Sequence, residues 1–128
     1  MALISPVITE LPDQAAFLAQ WTITSSADTV VAIDRIDYPD RTVQMTSTGA
    51  FGLTVALQGS NVASSAEAAA GTGTFATLTD PQGNAISSAT NLVEQVMEMT
   101  RWIKPVTTAG AVTAATLVTL FARRAART

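Results

Sequence analysis

Between residues 41 and 58 the chain alternates. Val43 and Met45 point one way while Thr42, Gln44 and Thr46 point the other, and Phe51, Leu53, Val55 and Leu57 oppose Gly52, Thr54, Ala56 and Gln58. A period of two marks a strand with one face in a core, so residues 41–47 and 51–58 are predicted strands, the second the clearest. Residues 29–36 repeat the pattern, with Val31, Ile33 and Arg35 opposite Val30, Ala32 and Asp34, and Asp37-Tyr38-Pro39-Asp40 supplies the turn that follows. Further strands are predicted at 75–79, 85–88, 100–106 and 117–121, the first two joined through Asp80-Pro81-Gln82-Gly83-Asn84. Residues 3–11 read as an edge strand or an arm ending at Pro12. Residues 13–20 have a helical look with Asp13 as cap, and a strand begins at 21–24.

Two stretches resist the alternation. In residues 91–99, Leu92, Val93, Val96 and Met97 fall at one-face helical spacing with Asn91 and Glu94 placed to cap, yet Val93, Gln95, Met97 and Met99 also alternate. Both readings stand, with a lean toward a short helical turn leading into the strand at Thr100. Residues 59–73, GSNVASSAEAAAGTG, lack large apolar anchors and read as a long flexible loop, either a contact element that orders on binding or a tolerated insertion.

Composition strengthens the strand reading. Twenty residues are Thr, and Gly or Pro punctuates the chain too often for long helices. The expected fold is all-β: an antiparallel β-sandwich or jelly roll of about seven or eight strands with at most one or two short helical turns. One domain spans residues 1–128, with an N-terminal arm at 1–12, the loop at 59–73 and a basic tail at 123–128. No fixed period suggests a solenoid.

Charge narrows the chemistry. Only 13% of residues are charged against 48% hydrophobic, a surface that expects company. The absence of Cys and His removes disulfides, Cys/His zinc sites and the triads built on them. A net charge of -3 argues against a general nucleic-acid grip. The N-terminus carries no signal-peptide pattern, and the apolar stretch 109–122 is about fourteen residues, short of the roughly 20 a membrane span needs. Asp34, Asp37 and Asp40 with Glu10 and Asp13 are the acidic groups nearest to a cation site, and Glu94 with Glu98 the nearest to a glycosidase pair; turn-forming or solvated carboxylates account for both. Trp21, Trp102, Tyr38, Phe51, Phe75 and Phe121 read as core, with Tyr38 the one aromatic offered to a sugar. Arg101 and Lys104 are expected to pair with Glu94 or Glu98. No enzyme, metal or cofactor is expected.

Three blocks carry a resemblance: LTVALQGSN (53–61), TFATLTDPQGNAIS (74–87) and TRWIKPVTTAGAVTAATLVTLFARR (100–124). They are similar to small β-sandwich proteins encoded among the virion structural genes of tailed bacteriophages, a layout that recurs in discoidin-like jelly rolls. The likeness covers about the last 75 residues. Val62 stands where that pattern has an acidic residue, Phe75 where it has Trp, and the tract 62–71 where it has a short loop. The resemblance implies a capsid cement or decoration protein, made in the host cytoplasm and carried on the capsid surface. It would bind the major capsid protein and form a homo-oligomer, a dimer or trimer. The expected contact residues are Leu3, Ile4, Val7, Ile8, Asn61, Val62, Arg123, Arg124 and Arg127. A tail, baseplate or head–tail connector component is the alternative, and a carbohydrate-binding module a more distant one.

Overall fold

The structure, a computed structural model, describes residues 3–25, 27–34, 38–49, 51–107, 112 and 114–124. Among them the chain is all-β, with the sheets antiparallel apart from one two-residue pair. Seven strands have four or more residues: β2 (Val7–Leu11), β3 (Ala16–Ile23), β5 (Asp40–Thr46), β6 (Val55–Ser60), β9 (Leu92–Gln95), β10 (Trp102–Thr107) and β11 (Thr116–Arg123). Four two-residue pieces complete the set: β1 (Leu3–Ile4), β4 (Thr29–Val30), β7 (Ala76–Thr77) and β8 (Ser87–Ser88). The large sheet runs β2-β3-β11-β5-β9; the small sheet pairs β10 with β6, and β7 and β8 pair with β6 in turn.

Alternation decides which side chains enter the core. Phe17, Ala19, Trp21 and Ile23 of β3, Val43 and Met45 of β5, and Val118, Leu120 and Ala122 of β11 turn inward from the large sheet to meet Val55, Leu57 and Ile103 of the small one. The buried Trp21 indole donates to the Val31 carbonyl at 2.8 Å, which leaves no polar cost to its burial. Among the described residues, no buried side-chain nitrogen or oxygen lacks a partner.

Several expectations are corrected. Residues 13–20 are not helical: a 3-10 turn at Pro12–Gln14 ends on Ala15 in the left-handed region (φ 49°), and β3 begins at once. Phe17 and Trp21 sit on the same face of a strand, and burying both outweighs local helix propensity. The predicted strand at 51–58 starts only at Val55. Phe51 and Leu53 are still buried, but Gly52 at φ 82° breaks the extended run. The strand predicted at 29–36 shrinks to β4 and one bridge, Ile33 to Ile103; Arg35 and Ile36 lie outside the described residues.

The ambiguous segment is extended. β9 pairs with β5, and the in–out alternation continues to Met99 with Val93, Gln95, Met97 and Met99 outward. The Asn91 side chain, free to cap a helix, instead accepts from the Ser47 N–H at 3.1 Å. Past β9 the segment crosses between the sheets: the Val96 N–H donates to the Arg41 carbonyl and the Met97 N–H to that of Thr79.

Residues 59–73 are not one loop. Gly59 and Ser60 finish β6, and Ser65–Ala70 form helix α1, opened by a capping box in which Ser64 accepts from the Glu67 N–H and Glu67 from the Ser64 N–H. α1 seats Ala68 in a second, small core with Ala32, Ala63 and Trp102 on the outer side of the small sheet, with Phe75 packed against it. Lys104, the chain's only lysine, lies 7% exposed beside this core. Its ammonium donates to the Gly71 carbonyl at 3.0 Å and sits 4.8 Å from the Phe75 ring centre, and burial pushes its pKa below the ordinary lysine value. The N-terminal segment is paired as well, β1 in parallel with β4 and β2 along β3.

Candidate functional site

Strand direction gathers several of the candidate side chains at one end of the sandwich. There β3 and β5 begin, β11 ends, β6 ends at Ser60, and β10 begins opposite it at Trp102. Arg41, buried to 1% exposure, ties this end together: its Nε donates to the Tyr38 carbonyl at 3.0 Å and an Nη to the Thr100 carbonyl at 3.2 Å. Desolvation lowers its pKa, and the carbonyls it meets are neutral acceptors that let a buried cation stay bonded.

On the small-sheet side of this end, the Arg101 N–H donates to Asn61 Oδ1 at 2.9 Å, joining the turn after β6 to the segment before β10. The same junction exposes apolar side chains: Val62 is 78% exposed, Met97 57% and Met99 56%. The Arg101 guanidinium lies 5.2 Å from the centre of the Trp102 ring, whose indole donates to the Ala63 carbonyl. Val62 follows Asn61 and Met99 stands two residues before Arg101, so two exposed apolar side chains lie in the segments that the Asn61–Arg101 bond joins at this tip.

On the large-sheet side, Arg123 and Asp40 pair across β11 and β5, with Nη2 to Oδ2 at 2.7 Å and Nε to the same oxygen at 3.2 Å. Together with Thr42 and Phe121 they line an open depression of about 440 Å³ on the outward face of the sheet. Among the described residues the next two rows of that face carry no charged side chain: the row containing Phe121 reads Thr9, Leu18, Phe121, Thr42, Gln95, and the one after it Val7, Gln20, Thr119, Gln44, Val93.

The sequence-predicted contact residues are spread over this frame. Asn61 and Val62 lie at the tip and Arg123 in the depression, while the Arg124 guanidinium covers the Tyr38 ring at 5.0 Å. Leu3, Val7 and Ile8 are exposed, and Ile4 is packed against the main core. Arg127 lies outside the described residues. The structure therefore joins Asn61 to Val62 at one end and does not bring Leu3, Ile4, Val7 or Ile8 into that group.

Other candidate chemistry is reassigned. Tyr38 is buried at 8% exposure, edge-on to Phe17 at 4.9 Å, so it is not an aromatic offered to sugars. Arg101 and Lys104 take aromatic and carbonyl partners in place of Glu94 or Glu98. Glu98 accepts from the Thr79 N–H at 2.7 Å and from its hydroxyl, and these bonds lower its pKa. Four residues along an extended backbone put the Glu94 and Glu98 positions roughly 13 Å apart, wider than a glycosidase pair. Among the described residues no group of three potential metal ligands occurs; Asp37 is outside them.

Sequence reasoning did not single out Met97, Met99 or Thr42, and Phe121, read as core, is half-buried on the outward face of the large sheet. The alternation at 93–99 signalled the methionines, whereas the depression depends on β5 and β11 pairing across some eighty residues, which no local pattern encodes. Among the described residues no helix is long and apolar enough to cross a membrane. Comparison with protein-family models, with curated proteins and with solved structures returns no match for this chain.

Proposed function

We propose that this protein is a non-enzymatic structural component of a phage particle, a decoration protein that binds the major capsid protein of the shell. The observation that carries the reading is the end where exposed Val62 and Met99 flank the segments joined by the Asn61–Arg101 bond, with the Arg101 guanidinium 5.2 Å from the Trp102 ring centre. Met, Arg and aromatic residues are enriched at protein–protein interfaces, and an Arg already held on a ring loses little freedom on docking. The low charge of the whole chain and the resemblance of its last 75 residues to virion β-sandwiches support the major capsid protein as the partner in this reading.

Co-sedimentation with capsid shells lacking the protein tests this. Wild type should bind the shells saturably at a fixed ratio to the major capsid protein, and the double variant V62S/M99S should bind at least roughly tenfold more weakly, with an unchanged melting temperature. Wild type that leaves shells untouched would overturn the reading. A ring-forming tail or connector component is the second reading, favoured by the exposed Val7 and Val93 on the two edge strands β2 and β9. Light scattering that finds a closed ring, with no shell binding, would support it.

A further inference from the structure

We propose that the depression formed by Phe121, Thr42, Asp40 and Arg123 is a binding site for an uncharged saccharide. This goes beyond shell binding and does not depend on it, because the tip and the depression use different residues.

The floor is aromatic. Phe121 is half-buried in the middle of the outward sheet face, between its register partners Leu18 and Thr42, so an apolar ring surface is held rigidly within a sheet. The wall is the Arg123–Asp40 pair, exposed on both partners, which offers guanidinium N–H donors beside a carboxylate acceptor. Adjacent hydroxyls of a sugar ring are at once donors and acceptors, so they can bridge such a pair while the C–H face of the ring lies on Phe121. Thr42 adds a hydroxyl, and Gln95, its register partner on β9, an amide at the margin. The volume of about 440 Å³ is that of a small-ligand site, for which about 300–1,000 Å³ is typical.

Charge disfavours ionic ligands. Asp40 neutralises Arg123 at 2.7 Å and repels a phosphate or carboxylate, and a net charge of -3 adds to that repulsion. A single carboxylate already bonded to a guanidinium does not satisfy a hard cation, which needs several oxygen ligands. A neutral molecule rich in hydroxyls remains, whether free or at the end of a cell-surface polysaccharide.

Backbone-amide NMR of the full chain, titrated with glucose, galactose, mannose, N-acetylglucosamine and their disaccharides, tests the site. At least one should shift the amides of Thr42, Phe121 and Arg123 at millimolar concentration, with inorganic phosphate leaving them unmoved. R123M and D40N, both at exposed positions, should weaken that binding by roughly tenfold or more, the loss expected from one charge-assisted hydrogen bond. F121L, which keeps an apolar side chain in the strand, should weaken it while leaving the melting temperature near that of wild type. If neither these sugars nor a neutral polysaccharide binds, or if binding survives R123M and D40N undiminished, the proposal is overturned. Retention on immobilised neutral polysaccharide but not binding of the free sugars would identify the polymer as the source; shell binding by F121L, read separately, would be unaffected in either case.

Discussion

Glu98 shows how one side chain fixes a crossing. Its carboxylate accepts both the N–H and the hydroxyl of Thr79, clamping the segment after β9 to the small-sheet side just where the Met97 N–H also bonds the Thr79 carbonyl. These bonds favour the charged form and hold its pKa below the ordinary glutamate value of 4.5. A carboxylate whose pKa is lower folded than unfolded contributes stability above the unfolded value, and that contribution is lost as pH falls through the folded one. E98Q should therefore lower stability at neutral pH by roughly 1 kcal/mol, a modest figure because the side chain is partly solvated. As pH falls below 4.5 and through the lower folded value the two proteins should converge; urea midpoints measured across the acid range check this, and a constant difference at every pH would remove the charge from the account.

At the scale of elements, helix α1 depends on its ends. Ser64 caps the start, and at the other end the Gly71 N–H reaches the Ala68 carbonyl and the Thr72 N–H that of Glu67. Gly71 takes φ 72°, and a Cβ there would stand 2.3 Å from Thr29 Cγ2 and 2.8 Å from the Val30 carbonyl oxygen. Gly83 has a similar φ of 86° but open space around it. G83A should thus lose only the backbone preference, about 1–2 kcal/mol, while G71A adds a clash with β4 and should lose roughly 3 kcal/mol. Equal urea midpoints for the two variants would show that β4 yields. The Ser64-Ser65-Ala66-Glu67 spacing of a capping box is passed over when this tract is read as a loop, because a run rich in Ala, Ser and Gly gives no sign of a core to receive a helix; that core is supplied by Trp102 and Ala32 from distant parts of the chain. Period-two alternation, by contrast, located the paired parts of β5 and β11 directly, since each buries one face, and found β6 through its inward Val55 and Leu57 although that strand is buried on both faces. It failed at residues 13–20, where an alanine-rich run masked the inward Phe17 and Ala19 of β3.

The whole molecule is a sandwich with two cores of unequal size. The larger fills the space between the sheets, and the smaller is a patch of three alanines, Trp102 and Phe75 under α1. The sequence made the first legible through its strands, whereas the depression at Phe121 and the apolar tip at Val62 and Met99 emerge only from which strands become neighbours. The small core also holds Lys104, and amine chemistry follows from that. An acylating reagent meets the chain's one lysine side chain bonded to Gly71 and covered by Phe75, so in the native protein Lys104 should be modified far more slowly than a free lysine. Its modification rate, followed by mass spectrometry, then becomes a clock for the opening of α1 alone. G71A should speed that clock well before the main core unfolds, and a wild-type rate equal to that of a free lysine would mean that the small core stands open.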